Sequence, residues 1–250
     1  MAEMKASILS ISPDAVIVDI SHQIEKFNIR MGAYVLTSAS PHFPKGTIHV
    51  AVVDPGVGTQ RRSLLVQTNR GFFVGPDNGI LLLAAEKQGV TSICEITNTK
   101  LMMPHVSCTF HGRDIFAPTA AHLAKEVSPS EFGPEIREVV KPDFAKVKRV
   151  KGTLTGEVLY VDGFGNIITN ISEEEIASLH AEGTFQVDLL TCKDTLKFGN
   201  TYSEAKPKEA IVLIGSHGYI EIAMNQGNAA EKFHVKPGHE ILLSCISNEP

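Results

Sequence analysis

The sequence contains no apolar stretch that approaches the roughly 20 residues needed to cross a bilayer. Its opening residues, MAEMKASILSISPD, also lack the basic start and the long apolar segment of a secretory signal. Positive charge is scarce as well, because the formal net charge is -5. No global basic field therefore draws the chain to nucleic acid or to an anionic membrane, and we expect neither as a partner.

Cysteine is sparse and scattered. The chain has four cysteines, at Cys94, Cys108, Cys192 and Cys245. A chain of 250 residues can bury a sufficient core without disulfide bonds. We therefore predict free thiols and a cytoplasmic location.

The first part of the chain alternates between strand-like and helix-like segments. Apolar runs at 15–20 and 47–54 flank a helical pattern at 28–40, which predicts a right-handed βαβ unit with parallel strands. The runs 63–68 and 71–75, separated by Asn69 and Arg70, predict a hairpin. Asp77 or Asn78 is expected to cap the next helix, and Pro118 is expected in the first turn of a later one.

The pattern changes after about residue 145. Short β-rich segments follow one another, separated by glycine and proline, which is typical of a small antiparallel barrel or sandwich. The predicted fold class is therefore an α/β domain with a mostly parallel sheet, followed by an all-β, barrel-like domain. We place these domains at residues 1–145 and 146–250.

The stretch VAVVDPGVGTQRR, residues 50–62, ends a predicted strand on a single carboxylate, Asp54. Ligands of open α/β sheets bind beyond the carboxyl ends of the strands, and Gly56 and Gly58 allow close approach of the backbone. Arg61 can pair with Asp54 and keep it ionised. The alternative is that Asp54 caps the loop and Arg61 is a surface charge.

A second stretch, HVSCTFHGRD at residues 105–114, allows two functional interpretations. The spacing of His105, Cys108 and His111 is one that a zinc site uses, although no supporting carboxylate accompanies it. His111 at a helix start also suits a general base. The structural alternative is a capping or packing histidine.

Two later stretches are polar turns within β-rich sequence. YVDGFGNIITNI places Asp162 and Asn166 in a turn between apolar strands, and a plain hairpin explains that pattern equally well. In GSHGYIEIAMNQGNAAEKF, Asn225, Gln226 and Asn228 offer paired donors and acceptors that suit the edge of a heterocyclic base. A polar turn is the alternative here too.

Six stretches together resemble the S-adenosylmethionine (SAM) hydroxide adenosyltransferase family, which is related to SAM-dependent fluorinases and chlorinases. They are ISPDAVIVDISHQIEKFNI, FPKGTIHVAVVDPGVGTQRR, FVGPDNGIL, TFHGRDIFAP, VDGFGNIITNI and SHGYIEIAMNQGNAAE. The resemblance covers nearly the whole chain in order. It implies a homotrimer in which SAM lies between the N-terminal domain of one subunit and the C-terminal domain of its neighbour.

The implied reaction converts SAM and water to adenosine and L-methionine. SAM is then the substrate, and the resemblance implies neither a cofactor nor a metal. Hydrolases of this family carry an Asp-Arg-His triad that the halogenases lack, and the matching positions are Asp54, Arg61 and His111. The alternatives are a non-catalytic protein that binds SAM or adenosine, a SAM-dependent halogenase, and a metal-dependent hydrolase.

Further positions match substrate contacts of the family. Phe27 resembles an aromatic wall beside the ribose, and Asp162 and Ser216 match positions that hold the methionine amine and carboxylate. Asn166 matches an adenine contact, and the backbone near Gln226 resembles the rest of that site. Asn225 joins this set from its turn, and Glu221 receives no role.

The start of the chain departs from the family pattern. Members usually begin with a strand and an acidic loop, whereas this chain starts at MAEMKASILS, inside the helix that follows. Because a sheet without that strand exposes neighbouring edges, we expect weaker SAM binding and a lower melting temperature than in a version that carries the segment. Equal values for the two versions would contradict this expectation.

Overall fold

A computed structural model describes residues 2–150, 152–177, 183–189 and 192–245, except the side chain at position 145. The chain divides into two units, one that ends at Pro142 and one that begins at Asp143. Every helix in the described ranges is too short or too polar to span a bilayer.

A mixed four-stranded sheet forms the centre of the first unit, in the order β1-β3-β2-β4. Its strands are β1 (Thr47–Val50), β2 (Ser63–Thr68), β3 (Gly71–Pro76) and β4 (Val90–Glu95). β1 and β3 are parallel, whereas β2 is antiparallel to both β3 and β4. The expectation of a mostly parallel sheet is therefore met only in part. The predicted β2–β3 hairpin is present, and a connection this short can join only antiparallel strands.

The segment 15–20, predicted as a buried strand, has no regular secondary structure. Val16 is 91% exposed, and Val18 is also exposed. The prediction of a strand here was wrong, and the predicted βαβ unit is not formed by the described residues. An apolar run indicates a tendency to be buried, but it does not supply the neighbouring strand that would bury it.

Four α-helices belong to the first unit, α1 (Ala2–Ile11), α2 (Ile29–Ala39), α3 (Leu82–Lys87) and α4 (Ala117–Ala124). α2 begins at a side-chain cap, because Asn28 accepts a hydrogen bond from the Met31 amide at 2.9 Å. Pro118 lies in the first turn of α4, as predicted.

The predicted cap of α3 was wrong. This helix follows Leu81 and has no side-chain cap. Asp77 instead pairs with Arg62, and the Asn78 amide donates to the Val53 carbonyl at 2.8 Å. Both side chains therefore tie the β3–α3 loop to the loop that follows β1.

Alternate residues of β2 pack on opposite faces of the sheet. Leu64 and Val66 join a cluster with Leu36 of α2 and Ala84 of α3. Leu65, between them, joins a second cluster that includes Leu123 of α4 and Phe116, the residue just before that helix. Because successive side chains of a strand point to opposite faces, both faces of this sheet are covered, and the unit has three layers.

The second unit is a closed barrel. Its seven strands are β6 (Thr153–Val161), β7 (Ile167–Ser172), β8 (Thr184–Leu189), β9 (Cys192–Phe198), β10 (Ala210–Ile214), β11 (Tyr219–Met224) and β12 (Glu240–Cys245). They follow the order β12-β8-β9-β10-β11-β7-β6, and the pairing of β12 with β6 closes the barrel. An additional strand, β5 (Lys148–Val150), flanks β6. The pair β9–β10 is parallel, and the other described pairs are antiparallel. The barrel-like fold was predicted correctly. The described part of this unit also contains two short helices, α5 (Glu173–Ala177) and α6 (Ala229–Phe233).

Candidate active site

Beyond β1 the chain carries a buried carboxylate. The Ala51 amide donates to the Val74 carbonyl at 3.1 Å, so the backbone stays on the sheet past the end of the strand. The next turn is closed by a bond from the Val57 amide to the Asp54 carbonyl at 3.3 Å. The Asp54 side chain is only 5% exposed. The sheet therefore holds this charge where water has little access.

Arg61 lies against Asp54 and uses every hydrogen of its guanidinium group. Nε donates to both carboxylate oxygens of Asp54 at 3.0 Å, and Nη2 donates to Oδ2 at 2.6 Å. Nη1 donates to the Arg62 carbonyl at 3.1 Å and to Ser63 Oγ at 2.9 Å. The second Nη2 hydrogen points to His111 Nδ1 at 2.7 Å. A guanidinium group has five N–H donors. All five are engaged within the protein, so Arg61 has no N–H left to donate to another molecule.

The contact with Arg61 fixes the tautomer of His111. A guanidinium group only donates hydrogen bonds, so Nδ1 of His111 is the acceptor. The neutral imidazole then carries its proton on Nε2. Burial and the positive charge of Arg61 lower the pKa of His111, although Asp54 and Asp114 oppose the shift. At neutral pH His111 is therefore a neutral ring whose second nitrogen is a hydrogen-bond donor.

A π-helical turn, Gly112–Phe116, follows His111 directly and leads into α4. Phe116 is fully buried, and its ring centre lies 5.2 Å from Arg61 Cζ. The ring supports one face of the guanidinium group by a cation–π contact. Turns of this kind are frequent at functional sites because they re-aim side chains.

The loop with Asp54 packs on the loop that precedes His111. Gly58 has φ +76°, a backbone conformation that favours glycine, and a Cβ atom there would overlap the carbonyl oxygen of Cys108. The glycine therefore lets the two loops meet backbone to backbone. This contact holds Asp54 and His111 at a fixed separation, although they are distant in sequence.

The zinc hypothesis finds no support in this geometry. Within the described ranges, no group of three or more histidine, cysteine, aspartate or glutamate side chains is placed to hold a metal ion. His105 and Cys108 are exposed, whereas His111 is half-buried and turned to Arg61. The spacing His-x-x-Cys-x-x-His does not produce a shared site because the loop carries these side chains to different surroundings.

Phe27 lies in the loop before α2 and combines two unfavourable features. Its φ is +66°, and its side chain is 71% exposed. A bulky residue with positive φ is strained, and an exposed aromatic ring gains nothing from burial. Such a residue is typical of a surface that another molecule covers.

In the second unit, Asp162 and Asn166 are brought together. Asp162 Oδ1 accepts from the amides of Phe164 and Asn166, each at 2.9 Å, and Oδ2 accepts from Asn166 Nδ2 at 2.9 Å. The carboxylate thus shapes the turn between β6 and β7. The plain hairpin turn is therefore present, and Asp162 stays half-buried at its surface.

The other predicted residues of this unit lie outside the β6–β7 turn, in two other loops. Ser216 is exposed in the β10–β11 loop. The Asn225 side chain donates to the Ala205 carbonyl at 2.6 Å, which ties down its amide group. Gln226 is exposed with φ +53°, and its carbonyl accepts from Lys208 Nζ.

The sequence interpretation missed three residues that this geometry brings forward. Ser63 receives a hydrogen bond from Arg61, and Phe116 lies under the guanidinium group. Neither gives a sequence signal, because a serine at a strand start and a helical phenylalanine are common. Phe164 gave a signal that could have been used. It lies between two glycines at a turn tip, where an aromatic residue is unusual, and it is 82% exposed.

A three-layer α/β unit with a buried carboxylate–guanidinium–imidazole cluster at the end of a strand has the organisation of an enzyme for small molecules. The β-barrel unit adds a second set of polar turns. The chain belongs to the SAM hydroxide adenosyltransferase family. The profile of the family's N-terminal domain matches residues 1–133, and that of its C-terminal domain matches residues 156–242.

Individual relatives agree with this assignment. The chain is 38% identical to the "(R)-S-adenosyl-L-methionine hydrolase" of Methanocaldococcus jannaschii, over 93% of this chain and 86% of that protein. A fluorinase of Actinoplanes sp. is 27% identical over 98% of this chain and 92% of its own length. An uncharacterized conserved protein of known structure from Thermotoga maritima aligns with a TM-score of 0.89 and 37% identity. That alignment covers 98% of this chain and 94% of the other.

Proposed function

We propose that this chain hydrolyses S-adenosyl-L-methionine to adenosine and L-methionine, with Asp54, Arg61 and His111 as its active groups. The observation that carries the proposal is the buried hydrogen-bonded cluster of these three residues. Relatives named as SAM hydrolases support it, at 33% to 38% identity over most of the chain. The fluorinase relatives are more distant, at 25% to 27%.

The chemistry needs a positioned nucleophile more than it needs an acid. An oxygen forms a bond to ribose C5′ while the bond from C5′ to sulfur breaks, and its electron pair stays on sulfur. The positive sulfonium becomes the neutral thioether of methionine, so the leaving group requires no proton. Water must lose one proton in the process. The protein's contribution is then to hold the oxygen in line and to favour its deprotonated form.

The tautomer of His111 determines whether this residue can accept the proton that water loses. Because Nδ1 accepts from Arg61, the second nitrogen carries a hydrogen and does not act as a base toward water. In our proposal, Nε2–H donates to a hydroxide ion, which forms when water releases its proton to solvent before the attack on C5′. The positive Arg61 stabilises this hydroxide through His111, and Asp54 holds Arg61 in place.

The remaining predicted residues form the proposed binding surfaces for the substrate. Phe27 would contact the ribose, and Asn166, Asn225 and Gln226 the adenine ring. Asp162 and Ser216 would hold the amino acid end. We further propose a cytoplasmic homotrimer in which each site draws on two subunits. The strained, exposed Phe27 and the exposed Phe164 support that assembly, because a partner surface would cover them.

Incubation with SAM in ¹⁸O-labelled water tests the proposal directly. We expect labelled adenosine and free methionine by mass spectrometry. The relatives' names specify the R form of SAM, so both sulfonium epimers are assayed separately. Halogenated adenosine formed with fluoride or chloride would instead indicate a halogenase. SAM binding without turnover would indicate a binding protein.

Two substitutions at His111 separate a hydrogen-bond donor from a base. His111→Gln keeps an N–H group that can donate, whereas His111→Ala removes it. We expect His111→Ala to lower kcat by about 10²-fold or more, and His111→Gln to retain a clearly larger rate. Circular dichroism checks that both variants are folded.

The pH dependence of kcat gives a second readout of the same role. With hydroxide as the nucleophile, kcat rises with pH through the neutral range and beyond. A rise that ends at the lowered pKa of His111, together with equal losses in the two variants, would show that His111 is a base.

A further inference from the structure

A buried carboxylate in the barrel unit is unexplained by the roles above. Glu221 lies on β11 and is 8% exposed, although its neighbours in the strand, Ile220 and Ile222, belong to the barrel core. Because successive residues of a strand alternate, Glu221 points to the outer face of the barrel. Burying a carboxylate is costly unless it is well compensated. Such a group indicates a role beyond packing.

The surroundings of Glu221 compensate its charge only weakly. Its Oε1 accepts a hydrogen bond from the Tyr202 hydroxyl at 2.8 Å. Its neighbours across β10 and β7, Leu213 and Ile168, are apolar. Among the described residues, the titratable groups that face it are Tyr202 and Asp162, and neither is a cation. Burial and the charge of Asp162 raise the pKa of Glu221, while the Tyr202 bond opposes that shift.

Glu221 also touches the loop that holds Ser216. A Cβ atom placed on Gly215 would lie 2.6 Å from Glu221 Oε2, so the carboxylate packs directly against the backbone at Gly215. The loop continues through Ser216 and is closed by a bond from the Gly218 amide to the Gly215 carbonyl at 3.0 Å. Glu221 is therefore next to both segments proposed to hold the amino acid end of the substrate.

We infer that Glu221 is a positioning residue that supplies, behind Asp162, a second negative charge for the α-ammonium group of the substrate's amino acid. This inference rests on the proposed function, and it identifies Glu221 as a group that selects substrates with a free amine. An arriving ammonium ion provides the counter-charge that the described residues do not place there. Binding of the ammonium then favours the ionised form of Glu221, and affinity rises with pH.

Two unreactive ligands test this inference. S-adenosylhomocysteine carries the amino acid end, and 5′-methylthioadenosine lacks it. Glu221→Gln keeps the shape and an oxygen that accepts from Tyr202 but removes the charge. By calorimetry, we expect Glu221→Gln to weaken S-adenosylhomocysteine about tenfold and to leave 5′-methylthioadenosine unchanged.

Three further measurements separate this role from a structural one. Glu204→Gln removes a carboxylate from the 3₁₀ turn that carries Tyr202, where Glu204 bonds the Asn200 amide, and we expect no change in affinity. In the wild type, S-adenosylhomocysteine affinity should fall as pH decreases through the raised pKa of Glu221, and this dependence should vanish in Glu221→Gln. Tyr202→Phe should shift the fall in affinity to higher pH, because the lost hydrogen bond had lowered that pKa.

Each outcome bears on the inference. An unchanged affinity in Glu221→Gln, or equal weakening of both ligands, would overturn it and leave the proposed hydrolase intact. If the wild type binds neither ligand, the inference and the proposed function both fail. If Glu221→Gln is unfolded by circular dichroism, the pH shift in Tyr202→Phe decides alone, and its absence overturns the inference.

Discussion

At the scale of single residues, Gly58 has the clearest physical requirement in the candidate site. It combines a positive φ with backbone contact to Cys108, so an alanine there meets both strain and overlap. We expect Gly58→Ala to reduce the free energy of unfolding by about 3 kcal/mol. Because the overlap pushes apart the loops of Asp54 and His111, kcat for SAM hydrolysis should also fall. Urea unfolding and a steady-state assay measure the two effects.

Gly46 provides a matched control for this substitution. It also has a positive φ, of +87°, but a Cβ atom there would meet nothing within 4 Å. Gly46→Ala should therefore cost only about 1 kcal/mol and leave kcat unchanged. Equal losses in the two variants would mean that backbone strain, and not the contact with Cys108, explains the effect.

The sequence allowed the residues of the Asp54–Arg61–His111 cluster to be predicted, but not their chemical states. The pattern of a strand, a carboxylate and a glycine-rich loop pointed to Asp54, and its pairing with Arg61 was predicted and is present. The tautomer of His111 depends on one nitrogen atom of Arg61 that lies 2.7 Å away. No spacing in the sequence reports such an orientation, and so the base expected at His111 becomes a donor in the proposed mechanism.

At the scale of elements, β1 carries His49 at a buried position where a strand normally has an apolar side chain. His49 is 5% exposed and stacks on Phe73, with ring centres 4.8 Å apart, and the edge of Phe43 lies against it. Burial lowers the pKa of His49 to about 4. The strand is therefore stable only with a neutral imidazole between two aromatic rings.

This burial predicts an acid-sensitive fold. The unfolded chain binds a proton at His49 below pH 6.5, whereas the folded chain resists it until about pH 4. The free energy of unfolding is thus unaffected by His49 above pH 6.5. It falls by about 3 kcal/mol as the pH decreases from 6.5 to about 4. Below about pH 4 this contribution stays constant, since both states are protonated.

Urea unfolding at pH values from 7.5 to 4 measures this effect. His49→Gln removes the titrating group, so its stability should be lower at pH 7.5 but decline less on acidification. His42→Gln, at an exposed histidine nearby, serves as the control and should follow the wild type. A parallel decline of the wild type and His49→Gln would assign the acid sensitivity to other groups.

Local sequence signals predicted correctly those elements whose stabilising contacts come from neighbouring residues in the chain. The β2–β3 hairpin, α2 and the position of Pro118 depend on neighbouring residues, and all three are present. The segment 15–20 and the cap of α3 depended on distant partners. Asp77 accepts from the Val140 amide and pairs with Arg62, which are contacts that propensity does not encode. The mixed sheet likewise reflects which strands meet.

At the scale of the whole molecule, the proposed active groups are divided between two units of the chain. Asp54, Arg61 and His111 belong to the first unit, and Asp162 and Ser216 belong to the second. The resemblance implies that one site combines the first unit of one subunit with the second unit of its neighbour. A trimer of this kind has a functional signature that a monomer lacks.

Mixing two inactive variants tests this sharing. His111→Ala removes an active group from the first unit, and Asp162→Ala removes a binding group from the second. Each homotrimer should be nearly inactive at low SAM concentration. In a trimer that contains both variants, one site of roughly every three joins an intact first unit to an intact second unit, so about a third of wild-type activity should return.

Co-expression with two different affinity tags, followed by sequential purification, isolates the mixed trimers, and light scattering confirms their mass. A mixture of the separately purified homotrimers, without subunit exchange, is the control. If the mixed species is trimeric but shows no recovery, each site lies within a single subunit. In that case Phe27 and Phe164 need another explanation for their exposure, because the partner surface proposed to cover them would not form the active site.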